Sequence, residues 1–209
     1  MITGIVVNVG NITLTNVCVT NFVTGIGNYL VLGPTTLTNG EKRNFSSNYL
    51  VPTNWTECFV SDTVRVKGMP VCPNAQPASA SASTNCPVLF TPRLLITQLS
   101  CVTNPVPGGL MVITGTVCNI GNIVLTNVVL SNEVSGVASS IVTGPNTLGI
   151  GECGPISVSF IVPSNYMDCT IRDMVTVRGT MICLPATTTA TNAVINCPVK
   201  YTPVISITA

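Results

Sequence analysis

Between residues 156 and 162 every second position is apolar: Ile156, Val158, Phe160 and Val162 are separated by Ser157, Ser159 and Ile161. A period of two turns one face inward and leaves the other mostly wet, which predicts a half-buried β-strand. Phe45, Ser47, Tyr49 and Val51 stand in the same rhythm. A further strand is marked by Val64 and Val66, and again by Val175 and Val177, with Arg65, Lys67 and Arg178 directed outward. In ITLTNVCV the apolar positions are Ile12 and Leu14, then Val17 and Val19, so the alternation slips by one at Thr15-Asn16. A β-bulge is the simplest cause. Gly10-Asn11, Gly33-Pro34 and Asn39-Gly40 read as turns. No segment keeps a helical period, so the expected fold class is all-β.

The chain is also written twice. Asn8, Gly10, Asn11, Leu14, Thr15 and Asn16 recur 111 residues later as Asn119, Gly121, Asn122, Leu125, Thr126 and Asn127. The same shift carries Gly33-Pro34 onto Gly144-Pro145, Gly40-Glu41 onto Gly151-Glu152 and Val51-Pro52 onto Val162-Pro163. It also carries Cys58, Cys72 and Cys86 onto Cys169, Cys183 and Cys197. About four positions in ten are identical, with 1–98 matching 112–209. Each copy has the length of an immunoglobulin-like sandwich, roughly 100 residues. Tandem copies of this kind bury surface on their neighbours and belong to arrays, fibres and stalks more often than to enzymes.

The repeat is out of phase with the chain. Arg93 to Val102 (RLLITQLSCV) reads as a strand that turns through Asn104 to Gly109 into Leu110 to Cys118, whereas the first copy begins inside the second of these strands and lacks the first. At the far end TPVISITA, Thr202 to Ala209, stands where the first copy has TPRLLITQ, Thr91 to Gln98. The expected organisation is a first unit over 1–92 without its opening strand, a second unit over 93–203, and a C-terminal strand over 204–209 with no sandwich of its own. Val204, Ile205 and Ile207 are then the assembly residues. Ile205 matches Leu94 and Ile207 matches Ile96, so both should enter the first unit of another copy by strand donation.

Only 7% of residues are charged, histidine is absent, and the net charge is +1. That balance argues against nucleic acid or anionic membrane as a partner and gives little repulsion between copies. No apolar run approaches the roughly 18 residues that span a bilayer, so membrane insertion is not expected, and no signal peptide is recognisable. Ten cysteines without a CxxC clamp point to disulfides in an oxidising compartment rather than to zinc. Cys72 with Cys86 and Cys183 with Cys197 bracket small, uncharged segments, Pro73 to Thr84 and Leu184 to Ala193. A hairpin loop stapled at its base fits this spacing and would gain roughly 3 kcal/mol in the chain-entropy view. The alternative is that these cysteines pair elsewhere. Cys18, Cys101, Cys118 and Cys153 have no cysteine at the equivalent position, which leaves Cys58 with Cys18, Cys118 with Cys153, or bonds between subunits open.

No catalytic, metal-binding or cofactor-binding residue is expected. Glu41, Glu57, Asp62, Glu133, Glu152, Asp168 and Asp173 are scattered, and the equivalent pair Asp62 and Asp173 reads as structural rather than as a calcium site. Trp55 and Tyr166 follow Pro-x-Asn and read as corner-packing aromatics, and the sequons at Asn11, Asn44 and Asn54 read as chance triplets in a chain this rich in Asn and Thr, with glycosylation as the minority reading.

The run N-x-G-N-x-x-L-T-N-V, then G-P-x-x-L-x-x-G-E, then an alternating strand ending V-P, resembles the immunoglobulin-like conserved-repeat modules of bacterial surface proteins. The likeness covers nearly the whole chain twice. It implies two tandem immunoglobulin-like β-sandwich units used as stalk, adhesin spacer or wall-associated repeat, and it supplies no catalytic residue. The cysteine content is closer in character to the disulfide-crosslinked subunits of endospore appendages. The function expected is a structural subunit of an extracellular or spore-surface fibre, a homopolymer of this chain built head to tail. A fragment of a longer adhesin or stalk array is the alternative, and a carbohydrate-binding module a third class.

Overall fold

The computed structural model describes residues 1–134, 136–137, 140–184 and 187–208. These contain 13 strands and no helix, arranged in four antiparallel sheets. The strands gather into two compact units, Met1–Leu89 and Phe90–Ala209.

In the first unit β1 (Ile2–Val7) pairs with β4 (Lys42–Ser47), and a second sheet runs in the order β3 (Gly27–Leu37), β2 (Leu14–Val23), β5 (Phe59–Pro70), β6 (Ala78–Pro87). In the second unit one sheet has the order β10 (Ile141–Thr143), β11 (Cys153–Ile161), β8 (Leu110–Asn119), β7 (Leu94–Cys101). The other has the order β13 (Thr188–Pro198), β12 (Thr170–Met181), β9 (Leu125–Val134). Side chains from both sheets of the second unit meet in one core, with Met111, Ile113 and Val117 of β8 against Val175 and Val177 of β12. The alternation at residues 156–162 is observed: Ile156, Val158, Phe160 and Val162 are all buried. Arg65, Lys67 and Arg178 face solvent.

The slip at Thr15-Asn16 is a bulge. Asn16 has φ +50° and its equivalent Asn127 has φ +48°, and the pairing of β2 with β5 shifts register between Thr15 and Cys18. Asparagine tolerates this left-handed backbone better than most residues. Gly33-Pro34, in contrast, is not a turn but lies inside β3, opposite the bulge. Gly33 has φ +106°, and a Cβ there would collide with the Val17 carbonyl oxygen, so only glycine fits.

The expected staples Cys72–Cys86 and Cys183–Cys197 are not formed. The segment after Cys72 is largely strand: β6 runs antiparallel to β5, with Cys86 opposite Val60, while Cys72 lies beyond Pro70 at the other end of the hairpin. At about 3.3 Å per residue this separates the two sulfurs by roughly 40 Å, far beyond the roughly 7 Å between Cα atoms that a disulfide tolerates. Cys197 sits likewise opposite Ile171, at the far end of β12 from Cys183, and Leu184 to Ala193 is mostly β13, with Pro185 and Ala186 outside the described residues. Cys197 is instead bonded to Cys101, and Cys118 to Cys153, its direct cross-strand partner. Cys58 and Cys183 are also in disulfide form, whereas Cys18, Cys72, Cys86 and Cys169 are thiols.

The repeated motifs mark one shared construction. The Asn8 amide is buried and donates to the carbonyls of Ile12 (2.8 Å) and Leu37 (2.9 Å), while its oxygen accepts from Gly10 N–H (3.1 Å). Asn119 does the same with Ile123, Leu148 and Gly121. The backbone of each Asn also pairs with the Gly-Glu turn, Asn8 with Gly40 and Glu41, Asn119 with Gly151 and Glu152. The Glu41 carboxylate accepts from Thr38 N–H, which holds its pKa below the usual range.

A buried acid distinguishes the copies. Asp62 accepts from Asn21 Nδ2 (2.7 Å), Tyr49 Oη (2.6 Å) and Cys86 Sγ (3.4 Å), and burial together with this bond raises the Tyr49 pKa. Asp173 is equally buried but accepts only from Asn132 Nδ2 (3.1 Å), because Phe160 replaces Tyr49 and Cys197 is oxidised. Asp173 Oδ1 and Asn132 Oδ1 are buried without partners, and burial raises the Asp173 pKa. A raised carboxyl pKa favours the folded state at acid pH, and the benefit is lost as pH rises through the folded value. Asp173→Asn supplies an amide that can bond Asn132 Oδ1 and carries no charge. Calorimetry should show it raising the melting temperature of the second unit at pH 7 and changing it little at pH 3.

Candidate functional site

The two units differ most at one strand position. In the second unit it is filled by β7, which lies beside β8 and is held at five points, counting the residues that lead into it. Thr91 donates its N–H (2.6 Å) and hydroxyl (3.2 Å) to Asn122 Oδ1, and the Arg93 carbonyl accepts from Ile120 N–H at 3.0 Å. Leu94 is buried and reaches to 3.6 Å from the Cβ that Gly179 lacks. Leu99 lies so close over Gly115 that a Cβ there would be 2.7 Å from it. Finally Cys101 is bonded to Cys197, tying β7 to β13.

In the first unit the same position is open. Among the described residues β1 is paired on one side only, with β4. Beside its free edge a groove of about 500 Å³ is lined by Ile5 and Val6 of β1 and by the neighbouring strands β5 and β6, through Val64 and Val66 and their cross-strand partners Ala82 and Ala80. It continues into a second hollow of about 350 Å³ beside Asn8, Gly10, Leu37 and Gly68. The receptor residues of the second unit all have counterparts here: Asn11 for Asn122, Gly68 for Gly179, Gly4 for Gly115 and Cys86 for Cys197. The ring of Phe45 lies over Gly4, much as Leu99 lies over Gly115.

The opening has a measurable effect on packing. Val175 and Val177 are fully buried, but their equivalents Val64 and Val66 are only half-buried. Strand β13 alternates exposed and half-buried positions, while residues 78–85 of β6 are exposed on both faces. An unpaired edge with apolar side chains beside it is a template for strand addition.

Of the residues singled out in the sequence, Val204, Ile205 and Ile207 are 83%, 96% and 94% exposed and belong to no strand, and Ala209 lies outside the described residues. Asp62 and Asp173 are held in side-chain hydrogen bonds, and among the described residues no group of three His, Cys, Asp or Glu is placed to hold a metal. Tyr166 packs on the core and donates to the Thr170 carbonyl, while Trp55 lies against Gly25. The receptor roles of Asn11, Gly4 and Gly68 are not among the sequence expectations. A signal for them exists, since Gly68 and Gly179 interrupt apolar strands at the same place in both copies, and a glycine inside a strand often marks close approach of another segment.

The six oxidised cysteines fit an oxidising, extracellular setting. No helix among the described residues is long and apolar enough to cross a membrane. No family model and no curated protein matches the chain.

Leu94 carries the comparison between filled and open positions. Leu94→Ala should hollow the second unit at the place where the first is already hollow, lowering its stability by about 2–4 kcal/mol. Denaturant unfolding followed for the second transition measures it, and a loss below about 1 kcal/mol would show that Leu94 does not anchor β7.

Proposed function

We propose that the chain is a structural subunit of a disulfide-stabilised fibre outside the cell or on a spore or cell surface. In this reading each unit is an immunoglobulin-like sandwich, and residues 204–209 of one subunit complete the first unit of the next. The observation that carries it is the open groove beside β1, whose lining includes Gly4 and Gly68, the counterparts of the Gly115 and Gly179 that Leu99 and Leu94 of β7 pack on in the second unit. The tail offers the matching strand, because Thr202-Pro203-Val204 repeats the place of Thr91-Pro92-Arg93 and its apolar residues are exposed.

The register of β7 on β8, with Leu94 opposite Asn119 and Ile96 opposite Val117, carries over by the 111-residue shift. Ile205 then stands opposite Asn8 and Ile207 opposite Val6, and Thr202 meets Asn11. Ile205 takes up the hollow beside Gly68, as Leu94 does beside Gly179. Burying each isoleucine contributes roughly 1.5–3 kcal/mol before the ordering of the tail is counted. The contact joins unlike surfaces, so it propagates into an open filament unless the rotation closes a ring. The scarcity of charge leaves little repulsion to oppose it.

Ile205→Asp with Ile207→Asp should abolish filaments seen by electron microscopy while leaving the melting of the second unit unchanged, because that unit holds Leu94 and Ile96. A synthetic peptide of residues 202–209 added to the variant should bind one to one and raise the melting temperature of the first unit. Normal filaments from the variant would overturn the reading. A polypeptide well beyond 209 residues in the reduced natural material would point instead to a longer covalent array.

A further inference from the structure

The cysteines at the two ends of each unit are oxidised in a complementary way, and this bears on how subunits are joined. In the first unit Cys58 immediately precedes β5 and Cys72 follows it. In the second, Cys169 precedes β12 and Cys183 follows it. Strands of 12 residues separate the members of each pair by about 40 Å. No bond can therefore form between Cys58 and Cys72, or between Cys169 and Cys183.

The ends have distinct identities. The front end of each unit carries the N-x-G-N turn: Val71 N–H bonds the Thr13 carbonyl beside Cys72, and Ile182 N–H bonds the Val124 carbonyl beside Cys183. Here the incoming strand is received, as Arg93 is by Ile120. The rear end is where the chain leaves: Val88 N–H bonds the Cys58 carbonyl, and Val199 N–H bonds the Cys169 carbonyl. Oxidation is divided between the copies. At the rear position Cys58 is in a disulfide and Cys169 is an exposed thiol, whereas at the front position Cys183 is in a disulfide and Cys72 is an exposed thiol.

The rear of the first unit and the front of the second are thus already oxidised, and those are the two ends that chain continuity relates. The thiols remain at the rear of the second unit and the front of the first. Those are the two ends that a head-to-tail contact between subunits would relate. We propose that Cys169 of one subunit forms a disulfide with Cys72 of the next, locking each junction covalently. This rests on the head-to-tail reading above and adds a bond to it.

The step needs a two-electron oxidant, which we assign to the class of small-molecule disulfides. The Cys169 thiolate attacks such a disulfide and releases one small thiol. The Cys72 thiolate then attacks the Cys169 sulfur of the mixed disulfide and releases the second. Two protein thiols become one disulfide while the oxidant is reduced to two thiols, and the two protons lost by the cysteines are taken up by the departing thiolates.

The test uses the full chain with oxidised glutathione, boiled in detergent without reductant. Wild type should give a ladder of oligomers that collapses to monomer on reduction, and a Cys18→Ser variant should give the same ladder. Cys72→Ser alone and Cys169→Ser alone should give none, while a mixture of the two should give dimer and nothing longer. Mass mapping of mixed ¹⁴N and ¹⁵N subunits should find the Cys72 and Cys169 peptides linked with hybrid isotope content. An unchanged ladder from the Cys72→Ser, Cys169→Ser double variant would overturn the proposal, as would a linkage confined to peptides of one isotope. Filaments that assemble under reductant but give no ladder on oxidation would remove the disulfide and leave strand donation standing. A full ladder from the Ile205→Asp, Ile207→Asp variant would do the reverse, and neither filaments nor ladder from wild type would remove both.

Discussion

The backbone of β1 has hydrogen-bonding groups on two sides and, among the described residues, a strand on only one. That single deficit organises the first unit. Edge N–H and C=O groups can be satisfied by water, but the apolar surface that a neighbouring strand would cover cannot. Val64 and Val66 are left half-buried, the alanines of β6 face a groove rather than a core, and Phe45 leans across Gly4 into part of the space. The second unit, from nearly the same instructions, closes because Leu94 to Cys101 belongs to it. What separates the units is thus one strand and the side chains it brings.

The legible part of this architecture is the part written in side-chain periodicity. Alternation locates β11 and the outward-facing cations of β5 and β12, and the one-residue slip locates the bulge that Asn16 and Asn127 make in left-handed backbone. The disulfides are less accessible for a physical reason. A stretch such as Ala-Ser-Ala-Ser-Ala-Ser has no hydrophobic rhythm and reads as a loop, yet it can hydrogen-bond along β5 as well as any sequence, because ladder bonds come from the backbone. Once it is a strand, cysteines that looked adjacent lie at opposite ends. Gly33-Pro34 misleads in the opposite direction, since it lies within β3 opposite the bulge, where only glycine leaves room for the Val17 carbonyl.

The candidate site is half legible. The phase of the repeat points to Ile205 and Ile207 as a strand without a sheet, but the acceptor residues are hidden in motifs that seem to explain themselves. N-x-G-N joins two tasks: the first Asn is buried and ties its own turn together, while the second faces outward and, in the second unit, receives Thr91. Only the comparison of a filled with an unfilled copy separates them. The same comparison shows where the copies have drifted, as at Tyr49 and Phe160, which leave one buried acid well provided with donors and the other short of them.

A groove in the first unit and an exposed tail after the second also make the two tips of the proposed fibre chemically unlike. A subunit that has lost its tail can still be invaded at its groove, so it seats itself at one tip and offers nothing onward. A free tail peptide occupies the other tip. Length could therefore be set by a trace of clipped subunits, without any second protein to arrest growth.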